Sequence, residues 1–398
     1  MATGTAAGMA IDVAMIDVSP RERGRIRDVW CALEAAAPPS YFLSWGWVET
    51  WLDALPASAA VALCVARRAG APVAAFFLGA RTRWRHRVLR SRELHWNETG
   101  HDEYDEICIE YNGMVHDGAP PPLAEILARL PGGWDEVYLP ALDAEGPIAR
   151  GLAGGAGPLW LRVEGKKPSP MVDLAKVRDA GDYLKLLGGS TRSSIRRAQK
   201  LYAARGVLAL EVAASPAEAL AVFDELVALH RRAWGDRGEA GAFVPFVHRF
   251  HRSLIERRFA AGEILLARAR AGDATIGCLY SFVWQGNVSF YQSGLAYETD
   301  GKLKPGLVCH ALAIEHCARA GHRWYDFLAG DSRYKQSLAT DARELIWVRV
   351  QRPRLRFKLE DLARVVRDRV RAHRAARAAA RAAAATAAAA PPGDADPS

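Results

Sequence analysis

The chain has 398 residues, 50% hydrophobic and 25% charged, with a formal net charge of +8. This is globular composition at a length that suits two domains, and no stretch approaches the ~20 consecutive apolar residues of a membrane span. The start has no basic segment ahead of its weak apolar stretch, which Asp12 and Asp17 interrupt, so a secretory signal is not expected. Cys31, Cys64, Cys108, Cys278, Cys309 and Cys317 are scattered, mostly in apolar segments, and no two have C-x-x-C spacing. That pattern argues against a disulfide framework and a zinc site, and predicts buried thiols in a cytoplasmic protein without a resident metal.

In chain order, residues 1–20 read as a flexible lead with a strand over 11–18. Helices follow at 21–36 and 45–55, the second with Trp47, Trp51 and Leu52 at helical spacing behind Ser44 as N-cap. A hairpin over 60–80 leads to a strand at 88–96, a polar loop at 97–105, and strands at 106–111, 134–139 and 159–163. A helix opens after Pro120–Pro122, and Pro168–Pro170 marks a linker. The second unit begins with residues 183–187 and a basic helix at 190–204. Helices at 216–234 and 243–260 precede a meander at 264–269, 275–284 and 288–295. A loop at 296–305, a helix at 306–320 closed by Gly321, a strand at 324–328, a segment at 330–338 and a strand at 345–350 complete it. The fold class is mixed α/β, an antiparallel meander feeding a crossover helix.

Two echoes mark a duplication. Residues 62–78, ALCVARRAGAPVAAFFL, and 264–280, ILLARARAGDATIGCLY, each run apolar, turn on a glycine (Gly70, Gly272) and run apolar again. Residues 123–142 and 312–330 each pair a helical stretch ending in Ala-Arg with a glycine (Gly132, Gly321) and an aromatic-acidic strand.

Lys302-Leu-Lys-Pro-Gly306 opens a helix directly after a strand. Its first N–H groups and the positive end of its dipole make a cradle for phosphate, and Lys302 and Lys304 add cations. In the first unit the corresponding helix follows three prolines, which remove donors, so that unit is read as a non-catalytic partner closing a cleft. Asn97, Glu98, Asp102, Asp105 and Glu110 could face an acceptor from that side. Arg192, Arg196, Arg197 and Lys200 form one basic helical face suited to an anionic group. In the tail, residues 352–381 hold eleven Arg and Lys against Glu360, Asp361 and Asp368, leaving the rest of the chain close to neutral. Leu355, Leu359, Leu362, Val366 and Val370 form an apolar stripe there, the pattern of a helix that can lie on anionic membrane.

The run FYQSGLAYETDGKLKPGLVCHALAIEHCARAGHRWYDFLAGDSRYKQSLAT resembles the C-terminal half of GNAT-superfamily acyltransferases of the CelD/BcsL type, tandem proteins of cellulose and exopolysaccharide production distantly similar to FemAB transferases. The matching residues are Tyr291, Gly294, Pro305-Gly306, Asp326, Gly330 and Tyr334-Lys335, with helix 192–200, the SWGWVETWL segment and the loop ending Glu110-Tyr111-Asn112. Of the GNAT phosphate loop, Arg/Gln-x-x-Gly-x-Gly/Ala, only Gly306 is present, so coenzyme A is implied by the resemblance alone.

The resemblance implies two GNAT-like domains in tandem: a lead over 1–20, a non-catalytic domain at 21–167, an acyltransferase domain at 168–351, and a basic helix with a disordered tail at 352–398. It implies acetyl-CoA or another acyl-CoA as co-substrate, with no permanently bound cofactor, held by Leu295, Lys302, Lys304, Gly306 and Leu307. Tyr334 is the expected acid for the departing thiolate and Asp326 the base or orienter. Arg192, Arg196, Tyr291, Lys335 and Glu110 are the expected acceptor contacts, with His310 and Glu298 as the next candidates for chemistry. The expected acceptor is a small molecule or glycan precursor. No specific nucleic acid is expected, and anionic membrane is a peripheral partner of 352–381. The rival readings are FemAB-like transfer from aminoacyl-tRNA and a non-catalytic scaffold in exopolysaccharide biosynthesis.

Overall fold

The two echoed segments each form a hairpin, and these hairpins seed the two halves of one sheet. The computed structural model describes residues 10–85, 89–153, 158–235 and 241–360, and scattered helical positions between 367 and 380. The first half runs β1 (Ile11–Asp17), α1 (Arg23–Ala36), α2 (Trp45–Ala54), β2 (Val61–Arg68), β3 (Ala71–Arg85), β4 (Leu89–Trp96), α3 (Asp102–Asp105), β5 (Val115–His116), α4 (Leu123–Arg129), β6 (Glu136–Asp143), α5 (Pro147–Ala153) and β7 (Trp160–Asp173). The second runs α6 (Leu174–Ala180), α7 (Gly189–Ala203), β8 (Leu208–Val212), α8 (Pro216–Gly235), α9 (Pro245–Arg258), β9 (Ile264–Ala271), β10 (Ala274–Trp284), β11 (Asn287–Leu295), α10 (Pro305–Arg319), β12 (Trp324–Asp326), α11 (Arg333–Leu338) and β13 (Asp341–Gln351).

Gly70 and Gly272 turn the paired hairpins at positive φ, 83° and 60°. Ser44 caps α2, its hydroxyl accepting the Trp47 N–H at 3.3 Å. Gly321, at φ 85°, closes α10.

The strand order is β1-β2-β3-β4-β6-β13-β7-β12-β11-β10-β9-β8, with β5 paired to β3. The order is symmetric about the β13–β7 seam, and the symmetry is an exchange. β7, the last strand of the first half, pairs antiparallel with β12 of the second. β13, the last strand of the second, pairs antiparallel with β6 of the first. The two exchanged strands pair with each other from Asp341↔Met171 to Gln351↔Trp160. Pro168–Pro170 is therefore not a linker: it lies inside β7, where Pro168 and Pro170 face β13 in register, and a boundary at 167/168 falls within a strand. Segment 106–111 is not a strand either. It is a loop in which Cys108 and Tyr111 take positive φ, 50° and 49°. Strand β8 and helices α5 and α6 were not foreseen.

Helices cover both faces. On one, α1 and α2 of the first half and α8 and α9 of the second share one aromatic core, in which Trp47 meets Phe250 at 4.9 Å and Tyr41 stacks on Phe282 at 4.5 Å. On the other, α4 and α5 cover the first half and α6, α7 and α10 the second. Gly294 of β11 is where α8 presses closest. A Cβ there would stand 2.2 Å from the Leu226 carbonyl oxygen and 2.8 Å from its Cα. Because both atoms are backbone, Gly294→Ala is expected to cost about 1–3 kcal/mol through forced displacement. The check is thermal denaturation, in which an unchanged melting temperature would mean that α8 yields freely.

Candidate active site

The two parallel strands of the second half part company. β11 and β12 pair only at Asn287↔Trp324, Val288↔Tyr325 and Ser289↔Asp326. β11 then continues to Leu295 without a β12 partner, and its register against β10 skips Tyr291, a bulge of the kind that re-aims a strand beside active sites. The gap is a passage through the sheet. Val288, Phe290 and Tyr325 pack on the α10 side, whereas Asn287, Ser289, Trp324 and Asp326 line a cavity on the other.

On the α10 side, helix α10 begins at Pro305 with Lys304 as N-cap and no side-chain cap, so its first N–H groups face outward beside the gap. Leu295 packs on the helix start: a Cβ on Gly306 would meet its Cδ1 at 3.1 Å. Lys302 and Lys304 are exposed, and the loop that carries them is ordered by Asp300, which accepts the Lys302 N–H at 2.9 Å. The end of α7 steadies the same loop through Arg205, whose guanidinium meets Glu298 in two contacts at 2.7 and 3.0 Å. Glu298 is thus consumed in holding the loop. Tyr334 of α11 also lies on this side, stacked on His310 at 5.8 Å and 38% exposed. Burial, with Tyr297 nearby, pushes its phenol up to about 12, so it keeps its proton at neutral pH. His310 is a core residue. Its Nδ1 lies 3.0 Å from the Tyr325 hydroxyl, and burial pushes its imidazole down to about 3.

Three acid–base groups converge across the two halves at the end of β12, and of these Asp326 lines the cavity. The Asp326 carboxylate accepts from the Leu328 N–H at 2.7 Å, the Ser169 hydroxyl at 2.8 Å and the Tyr111 hydroxyl. Burial raises its pKa. Glu110 reaches from the first half to accept the Ala329 N–H at 2.6 Å. Burial, reinforced by the Asp326 charge, raises its carboxyl to about 7. Lys335 donates to the carbonyls of Phe327, Leu328 and Ala329 at 2.7, 3.3 and 3.1 Å, and burial lowers its pKa. Lys335 is therefore a clamp on the 327–329 turn, not a free anion holder. Cys108, Tyr111 and Leu328 all hold positive φ around this cluster. For non-glycine residues such conformations are costly and gather at functional sites.

The cavity, half open to solvent, has a volume of about 310 Å³ between the halves. Tyr41, Trp284 and Trp324 give it an aromatic wall, and Asp326, Arg343 and Asp143 are its charged groups. The Asn287 amide oxygen is buried without a hydrogen-bond partner.

Several expected contacts fall elsewhere. The Tyr291 ring sits in the aromatic core, 4.5 Å from His251, with its hydroxyl donating to the Ile107 carbonyl at 3.1 Å, so it anchors the 106–111 loop. Arg192 and Arg196 lie on α7, away from the cavity lining, and Arg196 faces Asp182 at 3.5 Å. Asp105 accepts three N–H and O–H groups from Thr99 and Gly100, and Asp102 meets Arg81 at 3.0 Å. Glu98 and Asp105 come near His95, within 4.8 Å of one another, but Glu98 and Glu93 flank that imidazole at 3.5 Å on either side. These residues build the first half's own loop and do not line the cavity.

Among its described residues the first half shows no equivalent passage. Asn97 and Asn112 fill the space between β4 and β6: the Asn97 amide donates to Asn112 at 2.8 Å, the Asn112 amide to the Trp96 carbonyl at 2.9 Å, and Asn112 bridges Leu142. Its helix α4 has only seven residues and starts behind Pro122.

Residues 189–336 match the acetyltransferase (GNAT) domain family. No curated protein matches the chain. Among solved structures, FemX shares 12% identity and covers 84% of this chain and 96% of its own, with a TM-score of 0.50. A conserved protein of unknown function from Bacteroides thetaiotaomicron shares 10%, covering 85% and 99%, also at 0.50. A tandem GNAT protein from the clavulanic acid biosynthesis pathway shares 15%, covering 85% and 98%, at 0.43. At these identities the first two show a common fold. The chain is a mixed α/β protein whose second half carries the match to the acetyltransferase (GNAT) domain family.

Proposed function

We propose that the protein is an acyl-CoA-dependent acyltransferase working at the gap between β11 and β12. The observation that carries this reading is the two-sided gap: an uncapped helix start on one face and a half-open cavity on the other. The CoA pyrophosphate lies on the first N–H groups of α10, near Lys302 and Lys304, and the thioester enters the gap. The acceptor occupies the cavity. It carries an amino or hydroxyl group on a sugar, a polysaccharide precursor or a small metabolite, as the resemblance to CelD/BcsL-type proteins implies.

The acceptor heteroatom attacks the thioester carbonyl carbon and its proton passes to Glu110, whose pKa near 7 suits a general base. The unpaired edge of β11 supplies N–H donors for the oxyanion. Collapse breaks the C–S bond, and the thiolate takes a proton from Tyr334, which regains one from solvent. Asp326, with three donors already on it, orients Tyr111 and the 327–329 turn and is not the base.

The donor site is tested by Gly306→Asp, which puts a carboxylate against the phosphate cradle. CoA affinity by calorimetry is expected to fall at least about tenfold, while the melting temperature without ligand changes little. Equal CoA binding by both proteins would overturn the cradle. Absence of CoA binding by the wild type would favour either the scaffold or aminoacyl-tRNA as donor, which an assay with charged tRNA separates.

A further inference from the structure

The first half carries an arginine-rich hairpin that the proposed chemistry does not use. Between residues 81 and 92 the chain holds Arg81, Arg83, Arg85, Arg87, Arg90 and Arg92 and no acidic residue. Near the tip of β3, Trp84 is 63% exposed. The second feature is the start of the basic tail, helical from Leu355 to Glu360. Here the helix is two-sided. Phe357 is 2% exposed and lies beneath Arg85, 5.6 Å from its guanidinium. Leu355 and Leu359, two residues to either side and so on the opposite helix face, are 79% and 66% exposed.

The two features touch. The Arg85 guanidinium, 7% exposed, donates to Glu360 at 2.7 Å while its other nitrogen holds Glu136 at 2.6 Å. Arg354 and Arg356 also reach Asp135. These contacts fix the tail's first turn on the hairpin base and turn its leucines outward. The same spacing continues in the sequence through Leu362, Val366 and Val370, of which Val370 is described and 44% exposed.

We propose that this corner, the β3–β4 hairpin with the docked tail helix, is a docking surface for an anionic lipid bilayer. Charge complementarity argues for that occupant: the tail segment is as cationic as the whole chain, and the hairpin adds the exposed Arg90 and Arg92, whereas Arg81, Arg83 and Arg85 are paired with Glu93. A polyanion such as nucleic acid would account for the arginines but would leave Leu355, Leu359 and Trp84 without a role. A bilayer takes both, with leucines entering the acyl boundary, tryptophan at the headgroup level and arginines on the phosphates. Among the described residues no helix is long and apolar enough to cross a membrane, so the contact is peripheral.

The test is co-sedimentation of the full chain with phosphatidylcholine vesicles, with and without phosphatidylglycerol. The expected result is binding that requires phosphatidylglycerol, weakens with salt, and falls about tenfold or more in Leu355→Asp/Leu359→Asp and in Trp84→Ala. Melting curves control for folding, which these exposed positions should leave unchanged. Three results would overturn the proposal. One is absence of phosphatidylglycerol-dependent binding by the wild type. Another is lipid binding that the variants leave intact. The third is binding to duplex nucleic acid as tight as to vesicles and indifferent to the variants. Loss of a self-association equilibrium in the leucine variants, with no vesicle binding by the wild type, would assign the face to a second copy instead.

Discussion

Glu110→Gln is expected to lower kcat by about 10²–10⁴ while leaving acyl-CoA affinity near the wild-type value. The residue stands on the first half, yet its carboxylate holds the Ala329 N–H at the end of the second half's gap. Its pKa near 7 comes first from burial and then from Asp326. As a base, Glu110 is active when ionised, so the wild-type rate should climb as pH rises through about 7, and Glu110→Gln should lack that limb. A change in positioning alone would lower the rate at every pH and keep the limb.

Stability provides an independent reading of the same group. The folded pKa lies above the ordinary glutamate value of 4.5, so between these two values the folded state binds more protons than the unfolded state. Stability is then greatest below about 4.5 and declines as pH rises through about 7. The wild type should show this decline in melting temperature, and Glu110→Gln should show less of it. Near-wild-type turnover by the variant on a true acceptor would remove Glu110 from the chemistry and return the search to Asp326.

Deleting β13 is expected to unfold both halves. A chain ending at residue 340 loses Leu345, Val348 and Val350, all at most 1% exposed, and with them about 5–9 kcal/mol of apolar burial. That rivals the net stability of a typical domain. The strand also pairs β6 on one side and β7 on the other, so its loss opens both. Hydrogen exchange should show residues 137–142 of β6 losing protection along with the second half, and cooperative melting should vanish. A chain ending at 360 keeps β13 and should melt as the full chain does. If the chain ending at 340 keeps β6 protected, the first half stands alone and the strand exchange carries no shared stability.

Much of the second half was legible because its signals are local. The meander, α10 with its Pro-Gly start, the Gly321 stop and the Gly70 and Gly272 turns follow from hydrophobic period and backbone freedom within a few residues. The duplication was legible for the same reason, since each hairpin repeats a pattern in its own strands. The pairing of Leu295 with Gly306 beside the gap also follows from the order of strand, loop and helix.

What the sequence could not disclose is non-local. The exchange of β7 and β13 leaves no mark in either strand, because a strand's period tells which face is buried and not which neighbour pairs its edges. The prolines at 168 and 170 read locally as a break, and only the sheet shows how β7 carries them. Lys335 and Tyr291 are the right residue types for substrate contacts, yet tertiary packing commits one to three carbonyls and the other to the Ile107 carbonyl. Glu110 read as an acceptor contact near the end of a strand over 106–111. Its burial and the Asp326 charge, contributed by a segment more than two hundred positions away, raise its carboxyl to about 7. Sequence determined the face with the uncapped start of α10, which one strand–loop–helix unit builds alone. The cavity on the other face exists only where the two halves meet, and burial there sets the charges.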